Sequence, residues 1–320
     1  MFDVVALGEL LIDFTCHGQS ENGMKLFEQN PGGAPANVLC ALSKLGKKCA
    51  FIGKVGKDMH GDFLRDTLNK NGIDTSSLIS SPEAFTTLAF VELSEDGERR
   101  FSFVRNPGAD TLLAAGDLNS SLISSCKIFH FGSLSLTAEP ARSATLAAVK
   151  AAKALGTLIS YDPNYRPSLW ENAETAVRHM CSVLHLVDLI KISDDECSLV
   201  TGKNSPEEAA EALLKMGVSC VAVTLGNMGS YVAANGFSIK APAFDSRVVD
   251  TTGAGDSFLG AFLFKLLESK IHPSMLTEMQ IGEFSRFANA AASLCVGKRG
   301  AIPALPGLKE ISDLLSRASI

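Results

Sequence analysis

A helix that is apolar on nearly every side can only be built into the middle of a fold. This chain carries one behind a glycine loop, in Val248-Val-Asp-Thr-Thr-Gly-Ala-Gly-Asp256-Ser-Phe-Leu-Gly260. Phe258, Leu259, Phe262, Leu263, Leu266 and Leu267 circle the helix, so other elements must cover it and its N-terminus is held rigidly. Val248 and Val249 read as a short apolar strand leading into the loop. Gly253 and Gly255 carry no Cβ to hold a ligand off the backbone, and glycine reaches φ values that other residues resist. The first N–H groups of a helix lack partners within it and carry about half a positive charge, which attracts phosphate. Asp256 falls beside that anion site, where a carboxylate can take a hydroxyl proton and aim the oxygen at phosphorus. The plainer role for an Asp in such a loop is to cap the helix.

The rest of the pattern is that of an α/β protein. Val4 to Leu7 reads as a buried strand running on through Gly8-Glu-Leu-Leu-Ile-Asp13, which places Asp13 at the end of a core strand. Ligands bind at the carboxyl edge of open α/β sheets, although an Asp there also caps turns. Asn30-Pro-Gly32-Gly33-Ala-Pro-Ala-Asn37 is a tight loop before a helix whose apolar positions end at Leu45, ahead of Gly46. From residue 117 onward strands and helices alternate: Lys127 to Phe131, a helix near Glu139 to Leu155, Leu158 to Tyr161, a helix near Glu171 to His185, and Val187 to Ile192. Such alternation means parallel strands joined by crossover helices. Strand ends carry polar clusters, Asp162-Pro-Asn164-Tyr-Arg166 and Lys191-Ile-Ser193-Asp-Asp-Glu196, and a third strand ends in Thr224-Leu-Gly226-Asn-Met-Gly229. A further apolar helix from about Glu283 to Leu294 carries Asn289, which a buried site can satisfy with backbone partners alone.

Two stretches break this rhythm. Residues from about 16 to 30 are polar with weak strand character, and Thr86 to Leu93 and Glu98 to Arg105 flank Ser94-Glu-Asp-Gly97, a hairpin signal. A hairpin cannot bury itself alone, so the segments at about 16–30 and 85–105 are expected to form a β lid on the main body. Arg105 stands where the lid returns, placed to reach substrate or to make a surface ion pair.

The 320 residues suffice for a substantial core, read here as one α/β domain carrying the lid. A formal charge of -6 offers no basic field, so neither nucleic acid nor a membrane surface is an expected partner. Asp3, Glu9 and Asp13 interrupt the first apolar run, which therefore does not read as a signal peptide, and no apolar run reaches the roughly 20 residues of a spanning helix. Eight scattered cysteines without a Cys-x-x-Cys pair point to reduced thiols and the cytoplasm. There is no Walker-type loop, no Gly-x-Gly-x-x-Gly and no His-Glu-x-x-His, and Gly255-Asp-Ser-Phe-Leu misses the hydrolase elbow.

Asp250 to Asp256 reads Asp-Thr-Thr-Gly-Ala-Gly-Asp, and with Pro-Gly-Gly-Ala-Pro-Ala-Asn-Val, Phe-Ile-Gly-Lys-Val-Gly-Lys-Asp, Arg-Asn-Pro-Gly-Ala-Asp and Tyr-Asp-Pro-Asn-Tyr-Arg it resembles the ribokinase, or PfkB, family of carbohydrate kinases from Gly8 to about Pro306. The resemblance implies a three-layer sandwich with a mostly parallel central sheet and a small β lid. It also implies ATP-dependent phosphorylation of a sugar, with Asp256 as the base and the Gly253, Ala254 and Gly255 amides as the anion hole. Its words look most like those of members that phosphorylate D-fructose on O6; 2-keto-3-deoxygluconate, ribose or a non-catalytic sugar sensor are the alternatives. Asp13, Gly32, Gly33, Asn37 and Arg105 would then orient sugar, joined by the Asp162, Asn164 and Arg166 cluster. The nucleotide side takes Lys191, Ser193, Thr224, Gly226, Gly229 and Asn289, with Glu196 organising Mg²⁺ through water; Ser193 replaces the family's usual Asn. Asp250 and Thr252 match a K⁺ site that also uses the loop from Cys295 to Ala304, where Ala304 replaces a Ser. Asp58 and Gly61 are expected to serve structure, and the exposed lid edge invites a homodimer.

Overall fold

The computed structural model describes residues 1–93 and 99–318. Its strands are β1 (Phe2–Leu7), β2 (Leu11–Gln19), β3 (Lys25–Gly32), β4 (Cys49–Gly56), β5 (Ile73–Ser81), β6 (Leu88–Leu93), β7 (Arg99–Val104), β8 (Cys126–Gly132), β9 (Leu158–Asp162), β10 (Leu189–Ser193), β11 (Cys220–Thr224), β12 (Ser230–Ala234) and β13 (Phe237–Ala241). The helices are α1 (Ala34–Lys44), α2 (Met59–Lys70), α3 (Ser120–Ile123), α4 (Ala141–Ala154), α5 (Ala173–Cys181), α6 (Asp194–Thr201), α7 (Pro206–Lys215), α8 (Ala254–Ser269), α9 (Glu278–Cys295) and α10 (Leu308–Arg317).

Nine strands form one sheet in the order β5-β4-β1-β8-β9-β10-β11-β12-β13, parallel from β5 to β11 and antiparallel at the β12–β13 end. Helices cover both faces, so parallel strands such as β1 and β11 are apolar at nearly every position rather than at every second one. Along β1, Val4 and Ala6 join one core with Leu39 of α1 and Phe262 of α8. Val5 and Leu7 join the opposite core with Phe131 and Ile192 and with side chains from α4 to α7. The three-layer α/β sandwich expected from the sequence is present. The chain pairs β1 first with β4 on one side and later with β8 on the other, a reversal that opens a crevice at the carboxyl ends of the strands.

In α8, Phe258, Leu259, Phe262, Leu263 and Leu266 are buried, as its all-round apolar pattern requires. It crosses α1 at Gly260, where an added Cβ would lie 2.6 Å from Ala41 Cβ. Gly260 is one turn beyond Asp256, and Ala41 is one turn beyond Asn37. This close crossing therefore decides that Asn37 and Asp256 face each other.

β3, β2, β6 and β7 form a second, four-stranded sheet in that order, the β lid. Its polar sequence still alternates: Leu11, Asp13 and Thr15 face a cavity, while Ile12 and Phe14 pack into the body. Phe14 stacks on Phe90 at 5.2 Å between ring centroids, and Phe27 meets Phe90 edge-on at 5.6 Å. Asp58 ties this lid down, accepting from His60 and Gly61 at the start of α2 and from the Thr86 amide at 2.8 Å.

Several expectations are corrected. β1 stops at Leu7, so Asp13 is not at the end of a core strand but within β2 of the lid, paired with Asn30 and Ala89. Val248 and Val249 form no strand; they are 60% and 51% exposed in the loop between β13 and α8. α9 begins at Glu278 rather than near Glu283 because Thr277 and Gln280 form a capping box there. The helix expected to reach His185 stops at Cys181, and the chain continues in a 3₁₀ turn, Leu184–Leu186. The hairpin turn at Ser94 to Gly97 lies outside the described residues.

Candidate active site

Asp256 is the third residue of α8, and its carboxylate does not cap the helix. Gly253 occupies the cap position in the left-handed region (φ 79°), a conformation that favours glycine, and no side chain caps there. Asp256 Oδ2 instead accepts a hydrogen bond from Asn37 Nδ2 at 2.8 Å across the α1–α8 crossing. Burial raises its pKa to about 6, helped by the Asp162 charge, while Lys191, the Asn37 hydrogen bond and Arg166 pull the other way. A carboxylate of that pKa is ionised at neutral pH and is basic enough to take a proton from a polarised hydroxyl.

Two cavities meet at this helix end. The first, about 550 Å³, lies under the lid and is lined by Asp13, Gly33, Asn37, Asn164, Arg166, Lys191, Ser193, Glu196, Gly253, Gly255 and Asp256. The second, about 490 Å³, lies on the far side and is lined by Gly226, Gly229, Phe244, Val248, Ala254, Phe258, Asn289 and Ala292. Thr224, Thr251 and Gly255 line both, so the helix end is the doorway between them. Carboxylates, cations and amides face the first cavity, and aromatic and aliphatic carbon dominates the second. The first suits a polyhydroxylated ligand, the second a flat heterocycle.

Lys191, in the middle of β10, is buried beneath the doorway, with Nζ 3.0 Å from Asp162 Oδ2. Burial works against its charge, but Asp162, Glu196 and Asp256 outweigh that and hold the ammonium above its usual pKa range. A Cβ on Gly255 would sit 3.0 Å from this Nζ, so glycine lets the cation approach the backbone that would cradle phosphate. Of the three amides expected to form the anion hole, that of Ala254 already makes a long, 3.3 Å bond to the Thr251 carbonyl. A phosphate oxygen is the stronger acceptor and can replace it.

Other expected residues stand one layer back. Asp162 lines neither of these two cavities; it holds Lys191 and accepts from the Asn164 amide at 3.1 Å. Gly32 pairs with Leu11 in the lid and lies against the Asp13 carboxylate. Asn289 lines the second cavity, but its amide is spent on the Ala241 and Pro242 carbonyls at 2.9 and 3.1 Å, so it shapes the wall. Glu196 accepts from the Tyr165 and Ser193 amides at 2.6 and 2.8 Å, which fits a contact to hydrated Mg²⁺ better than direct ligation. Among the described residues no three His, Cys, Asp or Glu side chains converge as a metal site.

Asp250 Oδ1 accepts from Thr252 Oγ1 at 2.7 Å and Oδ2 from the Gly300 amide at 3.0 Å, clamping together the two loops expected to hold K⁺. Ala304 is fully buried and offers no side-chain oxygen. Arg105 departs from expectation: it lines neither cavity, and its ion pair is not at the surface. Its guanidinium is buried, bonded to Asp110 at 2.6 and 2.9 Å, to Thr137 Oγ1 at 2.8 Å and to the Leu134 carbonyl at 2.9 Å. It fastens the lid's return to the body.

Sequence reasoning passed over Glu9, buried in the wall of the first cavity, and Phe244, in the wall of the second. An acid inside an otherwise apolar run was a usable signal for Glu9; Phe244, in an irregular loop, carried none.

A fold with an open helix end, a buried carboxylate beside it and a cavity on either side suits a small-molecule phosphotransferase, and the model of the pfkB family of carbohydrate kinases matches residues 1–307. The chain belongs to that family. It is 43% identical over 322 residues to the probable fructokinase-5 of Arabidopsis thaliana, covering 99% of this chain and 98% of that protein. Among solved structures it is similar to a fructokinase from Vibrio cholerae O395 with fructose, ADP and calcium bound, at TM-score 0.88 and 31% identity over 98% of this chain and 99% of that one. It is also similar to a fructokinase from Xylella fastidiosa with bound ATP, at TM-score 0.90 and 31% identity over all of both chains.

Proposed function

We propose that the protein is a fructokinase, a single kinase domain that moves the γ-phosphoryl of ATP to O6 of D-fructose. The observation that carries this reading is the meeting of a polar and an apolar cavity at Gly255, with Asp256 held beside the doorway by Asn37. The fructose-bound and ATP-bound fructokinases of the same fold support filling the two cavities with sugar and nucleotide.

Asp13, Asn37, Asn164 and Arg166 orient the sugar so that O6 faces the doorway, while the Gly253 to Gly255 backbone and Lys191 hold the phosphoryl group. Asp256 takes the proton from O6, a bond forms from O6 to the γ-phosphorus, and the bond to the β–γ bridging oxygen breaks with its electron pair leaving on ADP. Positioning and charge stabilisation supply most of the acceleration in such a transfer. Mg²⁺, when bound, neutralises phosphate charge, with Glu196 as an outer partner; K⁺ beside Asp250 and Thr252 would steady the loops around the anion hole.

β7 and β3 are the outer strands of the small sheet, and their edges support a homodimer through the lid. Eight free cysteines support a reducing cytoplasmic compartment, and no helix among the described residues is long and apolar enough to cross a membrane.

Purified protein assayed for ADP release with fructose, ribose and 2-keto-3-deoxygluconate tests the reading. Fructose is expected to give the highest kcat/KM. Preference for another of these sugars would replace the substrate, and ATP-independent sugar binding without turnover would point to a sensor instead.

A further inference from the structure

We propose that Glu9 is a positioning residue for the base: its carboxylate grips the first amide of α1 and so sets the depth at which Asn37, one turn on, meets Asp256. Glu9 follows β1, is only 2% exposed and stands in the wall of the polar cavity. Its Oε1 accepts from the Ala34 amide at 3.0 Å. Asn37 donates its own amide hydrogen to the Gly33 carbonyl at 2.9 Å, and its side chain reaches Asp256 at 2.8 Å. Carboxyl, helix start, amide and base thus form one chain of hydrogen bonds running from the sheet to the reacting centre.

The second oxygen argues that this carboxyl is more than a helix tether. Oε2 is buried with no hydrogen-bond partner among the described residues, an arrangement that costs stability and that a small apolar side chain at the same place would avoid. The charged groups acting on it are Arg105 and Asp110, the buried pair at the lid's return. Burial raises its pKa to about 7, with Arg105 opposing and Asp110 reinforcing the shift. Either protonation state keeps an oxygen able to accept from Ala34.

The inference rests on the kinase reading but not on which sugar is the substrate, so the test uses whichever sugar the wild-type protein phosphorylates. Glu9→Ala is expected to lower kcat about 10- to 100-fold, the scale of an ångström-size misplacement, with KM for ATP unchanged. Glu9→Gln keeps an acceptor for Ala34 and should recover most of that loss. Ala34→Pro, at a helix position where proline is tolerated, removes the donor and puts a ring carbon where the hydrogen pointed at Oε1, so it also displaces the carboxyl and should reproduce the loss if Glu9→Ala does not fold. A double-mutant cycle with Asn37→Ala separates positioning from general support: coupled residues give a double variant little worse than Asn37→Ala alone. Additive effects, or full kcat in folded Glu9→Ala or Ala34→Pro protein, would overturn the proposal. Wild-type protein that turns over no sugar would sink the kinase reading instead; the same cycle read by thermal melting still tests the Glu9–Ala34–Asn37 coupling.

Discussion

The two cavities at the N-terminus of α8 share a doorway and differ in everything else. The polar one is walled on one side by a small sheet fastened to the body through Arg105, Asp110 and Asp58. The apolar one is built from the body, from the end of β11 and the turn after it, the loop after β13, α8 and α9. A wall made of a separate sheet can open and shut without disturbing the core, whereas the part of the apolar wall that α8 and α9 supply belongs to the core and is fixed when the chain folds. The polar cavity is thereby suited to excluding water around a sugar, and the apolar one to being ready for nucleotide at all times.

If the doorway belongs to neither side, Asp256→Asn should stop chemistry without emptying either cavity. Turnover is expected to fall by about two to four orders of magnitude, while calorimetry still detects binding of sugar and nucleotide. Arg105→Ala acts on the polar side alone. It leaves Asp110 buried and unpaired, which costs roughly 3 to 5 kcal/mol of stability, and a loosened lid should raise the apparent KM for fructose while the KM for ATP holds. Equal rises in both would erase the distinction between the two walls. Asn289→Ala acts on the apolar side, freeing the buried Ala241 carbonyl and the partly buried Pro242 carbonyl, and should raise the KM for ATP about three- to tenfold, near 1 kcal/mol, with fructose unaffected. Replacing K⁺ by a large organic cation is expected to have the smallest effect, a modest loss of rate, because Asp250 already clamps the two loops without it.

What the sequence made legible follows from how far each signal reaches along the chain. The parallel sheet and α8 were readable because apolar runs and their periods are local. The lid strands were readable as β but not in extent, since β2 starts at Leu11 inside an apolar run that looked continuous with β1. The cavity residues Asp13, Gly33, Asn37, Asn164, Arg166, Lys191 and Glu196 were legible from strand ends and family words. The side-chain pairings were not: Lys191 with Asp162 and Asn37 with Asp256 in the site, and Arg105 with Asp110, Thr137 and Leu134 outside it, are mostly contacts between distant segments, fixed by packing such as the Gly260–Ala41 crossing.

The central claim is that a buried carboxylate at the doorway takes the hydroxyl proton, and the pH dependence of kcat/KM for fructose tests it most directly. Asp256 has a raised pKa of about 6 and acts as a base only when ionised. Wild-type kcat/KM should therefore climb as pH rises through about 6 and then level, and Asp256→Asn should lose that limb together with most of its rate. A wild-type profile that is flat from pH 5 to 7 in folded protein, or an Asp256→Asn variant that keeps the limb, would contradict the account.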